Sequence, residues 1–164
     1  MTAIRCSRIA LVATVALFFT LVAIGNVTDY GSNFAFVQHV LSMDTTFKSP
    51  ALMWRAIDDP RLHHAAYLAI IAWQIATALL LWLGVARLWR HRAAPRAAFL
   101  AARGPAILGL TAGFLLYGAG FIAVGGEWFA MWQSQIWNGQ QKAAIFLLPI
   151  GVALLHLASG EEAG

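Results

Sequence analysis

A chain of 164 residues that is 60% hydrophobic and 11% charged is poor in charge beside soluble domains, which average about 25%. A soluble fold of this size could not hide so much apolar surface, so lipid must cover part of it. The formal charge is +4 and Cys6 is the lone cysteine, which excludes a disulfide within the chain and a thiolate cluster for zinc or iron–sulfur.

The first stretch without Asp, Glu, Lys or Arg covers residues 9–26 and follows Arg5 and Arg8. Ala23-Ile24-Gly25 imitates a signal-peptide cleavage site. The apolar stretch exceeds the roughly 7–15 residues of a signal core, so it reads as an uncleaved span. A long connection follows, about residues 27–64, and long connections in small proteins are usually functional. It opens on a turn-rich segment, residues 26–33. Phe34, Val37 and Leu41 then recur at helical spacing, which predicts a short amphipathic helix lying at the interface. Asp44-Thr45-Thr46 breaks it, and a second short apolar piece, residues 51–57, ends at Asp58-Asp59-Pro60, because a residue before proline avoids helical geometry.

The second apolar run covers residues 65–86, the third 104–124 and the fourth 143–158. About 20 helical residues span the ~30 Å hydrocarbon core. The fourth is the weakest and contains Pro149; a full span is expected, with a kinked span or a re-entrant segment as the alternative. Residues 87–103 carry Arg87, Arg90, Arg92, Arg96 and Arg103 and no acid. The positive-inside rule places this loop and both termini in the cytoplasm. Its arginines read as topology anchors that meet anionic lipid, and no nucleic-acid partner is expected. The fold class is therefore all-α: a polytopic four-transmembrane-helix bundle forming a single membrane domain, 1–164, with short interfacial helices in the outer loops, 27–64 and 125–142.

The outer side collects Trp54, Trp128, Trp132 and Trp137, an aromatic belt at headgroup level. His39, Asp44, Glu127 and Trp132 are the candidate site residues there. Glu127 is expected to pair with Arg55 or Arg61, and His63 and His64 to be interfacial side chains in water. No metal-ligand spacing such as His-Glu-x-x-His occurs, so no metal and no cofactor is assigned. His64 and His156 lie a membrane apart, against paired haem ligation. A quinone slot near the outer interface needs only an aromatic wall and one or two polar groups, such as Trp132 with His39 or Glu127. Within the spans, Gln74 is a hydrogen-bonding group, Gly109-x-x-x-Gly113 a close-packing face, and Ala72-x-x-x-Ala76 a second one.

Residues 26–30, Asn33, residues 36–46, Trp54-Arg55-Ala56-Ile57, Glu127-Trp128-Phe129-Ala130-Met131-Trp132 and Trp137-Asn138-Gly139-Gln140 together resemble the bacterial "predicted small integral membrane protein" family, over essentially the whole chain. The resemblance implies a four-span inner-membrane protein and no activity. One departure stands after Asn138-Gly139-Gln140, where a basic residue is expected soon and only Lys142 precedes Ala143-Ala144-Ile145-Phe146. Three functions compete: an accessory or structural subunit, working with other membrane subunits or as a homo-oligomer; a redox- or metal-dependent membrane protein with its site under the outer cap; and an oligomeric small-solute channel or carrier.

Overall fold

The computed structural model describes residues 3–159. Four helical stretches are long and apolar enough to cross a membrane: Ala3–Thr28, Pro60–Arg90, Arg96–Trp128 and Gln140–Ala158. We label the helices α1 (Ala3–Thr28), α2 (Tyr30–Ser42), α3 (Pro60–Arg90), α4 (Arg96–Ala101), α5 (Gly104–Leu115) and α6 (Gln140–Ala158). From Leu116 to Trp128 the third crossing widens into a π-helix that continues α5. The architecture is an all-α polytopic bundle.

The helices outrun the uncharged stretches of the sequence. An absence of charge marks only the hydrocarbon, whereas a helix continues wherever its backbone bonds close. The 31 residues of α3 extend about 46 Å at 1.5 Å per residue. Asp59 starts this helix by accepting from the Arg61 N–H at 2.8 Å, with Pro60 in the first turn, where its missing N–H costs nothing. His63 and His64 thus belong to the first turns of a helix. The turn-rich segment 26–33 is also mostly helical, because α1 runs to Thr28 and α2 resumes at Tyr30, leaving Asp29 as the break. Pro149 sits inside α6 without ending it.

Around the bundle α1 packs on α3, α3 on α5, and α6 closes the ring against the π segment, α5 and α1. Val12, Ala16, Phe19, Leu81, Leu110 and Ile150 form its sealed centre. Leu17, Leu21, Leu79, Leu108, Leu148 and Leu155 face outward, as lipid solvation requires. Close approach is fixed at glycines. A Cβ on Gly84 would lie 2.6 Å from the Ala106 Cβ, so backbone meets backbone where α3 crosses α5. Gly109 lies against Leu81 and Gly113 against Phe19, all within one chain. Ala72 and Ala76 are exposed, so that second small-residue face is turned to the outside instead of to a neighbouring helix.

The end where α1 begins and α6 finishes is closed by arginine. Arg8, 1% exposed, donates through Nε to the His156 carbonyl at 3.1 Å and through Nη2 to the Ser159 carbonyl at 2.7 Å. Arg103 donates to the Leu157 carbonyl. Arg5 donates to the carbonyls of Arg92, at 3.2 Å, and Ala94, at 2.6 Å, and lies 4.7 Å from the Phe99 ring. The last carbonyls of a helix have no partner within it and carry its negative pole. Arg8 and Arg103 supply that partner for α6, and Arg5 does the same just beyond α3. Arg5 and Arg8 are therefore buried structural caps.

The opposite end is a cap with a small core of its own. Val40 and Met43 pack with Phe129, Ala130 and Met131. Two single turns, Met53–Arg55 and Met131–Gln133, bring the connections together. The Phe47 N–H donates to Gln133 Oε1 at 2.9 Å, and the Thr45 and Ser134 hydroxyls share a hydrogen bond of 2.8 Å. Met43, Lys48 and Ala130 have φ near +50°, a left-handed conformation uncommon outside glycine. The backbone strain of the described residues is thus concentrated in the cap.

Candidate functional site

The residues singled out in the cap divide into separate places. His39 Nδ1 donates to Asp44 Oδ2 at 2.6 Å, and the His39 ring stacks on Trp137 at 4.6 Å. The contact is an ion pair only with the histidine protonated. Glu127 instead accepts from Gln140 Nε2 at 3.2 Å. Trp132 meets Phe47 edge to face at 5.8 Å. The expected partner of Glu127, Arg55, is clasped between rings, 5.5 Å from Trp54 and 4.6 Å from Trp128, and donates to the Trp128 carbonyl at 3.2 Å. A delocalised guanidinium gains as much from aromatic faces as from an exposed carboxylate. The two larger cavities of the described residues are lined by none of His39, Asp44, Glu127 and Trp132.

His63 is buried rather than bathed in water. It is 3% exposed, and its Nε2–H donates to the Ile57 carbonyl at 2.6 Å. His64 shares a 2.9 Å hydrogen bond with the Tyr30 hydroxyl and stacks on Phe34 at 4.1 Å. His156 lies at the other end of the bundle, 2.7 Å from the Ser7 hydroxyl. Among the described residues no group of three His, Cys, Asp or Glu side chains could hold a metal ion.

A different set of residues does converge. A cavity of about 500 Å³ opens beside α2 and runs down between α1, α3, the π segment and α6. Its rim carries Ser32, Asn138 and Lys142, all exposed. From the rim inward, the exposed Asn33 donates through Nδ2 to Asn26 Oδ1 at 2.8 Å, and Asn26 Nδ2 donates to Gln74 Oε1 at 2.7 Å. This amide chain descends from the rim into the span. Gln74 sits fourteen residues into α3, about 21 Å along its axis at 1.5 Å per residue. Tyr117 closes the other side, with Phe36, Phe121, Phe146 and Trp137 as aromatic walls. Beyond the Phe36–Phe121 pair, stacked at 6.1 Å, lies a second cavity of about 220 Å³ lined almost wholly by apolar side chains.

The π-helix borders both cavities. Wide turns are rare and recur at functional sites. Here Gly118, Gly120, Gly125 and Gly126 fall within it. A Cβ on Gly126 would lie 2.1 Å from Gln140 Nε2, so only glycine lets that side chain reach across to Glu127 and the wall of the span.

The model of the family described as "predicted small integral membrane protein" matches residues 4–159. The chain belongs to this family. No curated protein and no solved structure matches it. The family match takes in the whole cavity and the cap, and family membership agrees with the four apolar crossings. Sequence reading singled out Gln74 as a lone polar group within a span but passed over Asn26, Tyr117 and Lys142 as site residues. Asn26 was readable as a polar residue at the end of an apolar run, whereas its partnership with Gln74, 48 positions away, was not.

Proposed function

We propose that this chain is a non-enzymatic accessory subunit of a bacterial inner-membrane assembly, with both termini cytoplasmic and the cap facing the periplasm. One observation carries the reading. The cap has a closed core, yet it presents Phe47 at 70%, Trp54 at 69% and Ile136 at 75% exposure on irregular loops. Headgroup anchoring uses amphipathic rings at helix ends; Phe47 and Ile136 have no polar atom to place in water, so a protein partner suits them better. His39, Asp44, Glu127 and Trp132 then belong to a contact face, where a mixed polar and aromatic surface is typical. The arginine excess at the terminal end supports the orientation.

The test is to extract the tagged protein in several mild detergents and weigh it by native mass spectrometry. A defined complex, or a homo-oligomer, is expected. A bare monomer in all of them would overturn the reading. For the orientation, a cysteine placed within 87–103 should resist an impermeant thiol reagent in spheroplasts and react after lysis.

A further inference from the structure

We propose that the larger cavity is a binding site for a membrane-soluble quinone, a neutral ring with carbonyl acceptors and a prenyl chain. The polar groups lead to this class. Gln74 is 2% exposed, its Oε1 is taken by Asn26, and its Nε2 has no acceptor among the described residues. Tyr117 is 3% exposed, and its hydroxyl has no partner among them either. Both line the cavity. Two donors that face the cavity from within a span, with no protein acceptor among the described residues, are matched by a ligand that brings acceptors to that depth. The amide chain through Asn26 to Asn33 fixes Gln74 in place, so its N–H groups are preorganised toward the cavity.

Shape and charge narrow the class further. Phe36, Phe121, Phe146 and Trp137 form walls suited to a planar ring. The adjoining apolar cavity shares Phe36 and Phe121 with the first, which gives a hydrocarbon chain a path past that pair. The only formal charge on the lining is Lys142, exposed at the rim. A phosphate-headed lipid would place its charge at Lys142 and offer only its ester carbonyls to Gln74 and Tyr117, so its affinity would depend on Lys142. A quinone places a carbonyl where those donors are and has no need of Lys142.

The experiment uses the full chain purified in a neutral detergent, with a decyl-substituted benzoquinone as probe. Binding is read by quenching of tryptophan emission, since Trp137 is in the wall, and by the rise in thermal midpoint. Saturable binding is expected. Tyr117→Phe, which removes one oxygen, should weaken it about fivefold, an effect of the size of one hydrogen bond. Gly25→Leu should weaken it at least about tenfold by filling the cavity. Gly25 lines the cavity and a Cβ there meets nothing within 4 Å, so this variant is expected to fold with an unliganded melting midpoint at or above that of the wild type, as removal of a glycine from a helix allows. Lys142→Ala should bind within about twofold of the wild type, as a neutral ligand requires. Absence of saturable binding overturns the proposal, as does wild-type affinity in either Tyr117→Phe or Gly25→Leu. Loss of binding in Lys142→Ala, with competition by phosphatidylglycerol, would overturn it in favour of an anionic lipid. The outcome is read on the isolated chain and is independent of whether a partner subunit exists.

Discussion

The two ends of the bundle use arginine in opposite ways. At the terminal end, Arg5, Arg8 and Arg103 donate to main-chain carbonyls, with Arg8 buried to 1% exposure. At the cap end, Arg55 lies against the Trp54 and Trp128 rings, and Phe47 and Ile136 elsewhere in the cap stay open to the outside. The first arrangement satisfies helix ends and finishes the fold. The second leaves apolar surface uncovered and has, beneath it, a cavity lined by the Gln74 amide and the Tyr117 hydroxyl. Stability is thus concentrated at one end and binding capacity at the other, as expected where functional sites are drawn from the less tightly held parts of a structure.

The contrast can be broken most directly at Arg8. Arg8→Met removes charged donors from two carbonyls and is expected to cost about 3 kcal/mol, since hydrogen bonds to charged groups contribute about 1.5–3 kcal/mol each. Arg55→Met should cost only about 1 kcal/mol, the scale of an exposed cation–π contact. Unfolding titrations in mixed micelles measure both, and equal losses would abolish the distinction between the ends.

Glycines give the next test. Gly84→Leu forces a side chain into Ala106 and should destabilise by about 1–3 kcal/mol through overpacking. Gly31, in the cap helix α2, has nothing within 4 Å of an added Cβ, so Gly31→Ala should stabilise by up to about 1 kcal/mol. Between the two ends, Asn26→Ala unpairs Gln74 and Asn33 together and should cost about 1–2 kcal/mol. The smallest effect is expected at His39→Gln, within about 0.5 kcal/mol, because its pair with Asp44 is exposed. A loss well above 1 kcal/mol there would mean that the cap is held by that pair rather than by its apolar core.

Much of the fold was legible in the chain because the bilayer imposes a simple rule. A stretch without charge and of sufficient length must be a helix, and the four apolar runs met that rule. Helix ends were less legible. Residues 26–33 look like a turn by composition, yet Asn26 is spent on Gln74 and Asn33 and so supports helix on both sides of Asp29. The π segment left a trace in its glycines, but glycine is also compatible with close packing or with a loop. Ala72 and Ala76 illustrate that ambiguity, since small residues turned outward look the same in sequence as small residues at a contact.

By itself, then, the sequence determined that lipid is the solvent, how many times the chain meets it, and which end is rich in arginine, because each follows from local composition and length. Only the tertiary structure decided that Arg8 turns inward onto α6, that His39 and Glu127 go separate ways, and that Asn26, Gln74 and Tyr117 surround one cavity. Those outcomes depend on which helix faces meet across dozens of residues. Helical periodicity fixes which residues share a face, but packing alone selects the face that the neighbour sees.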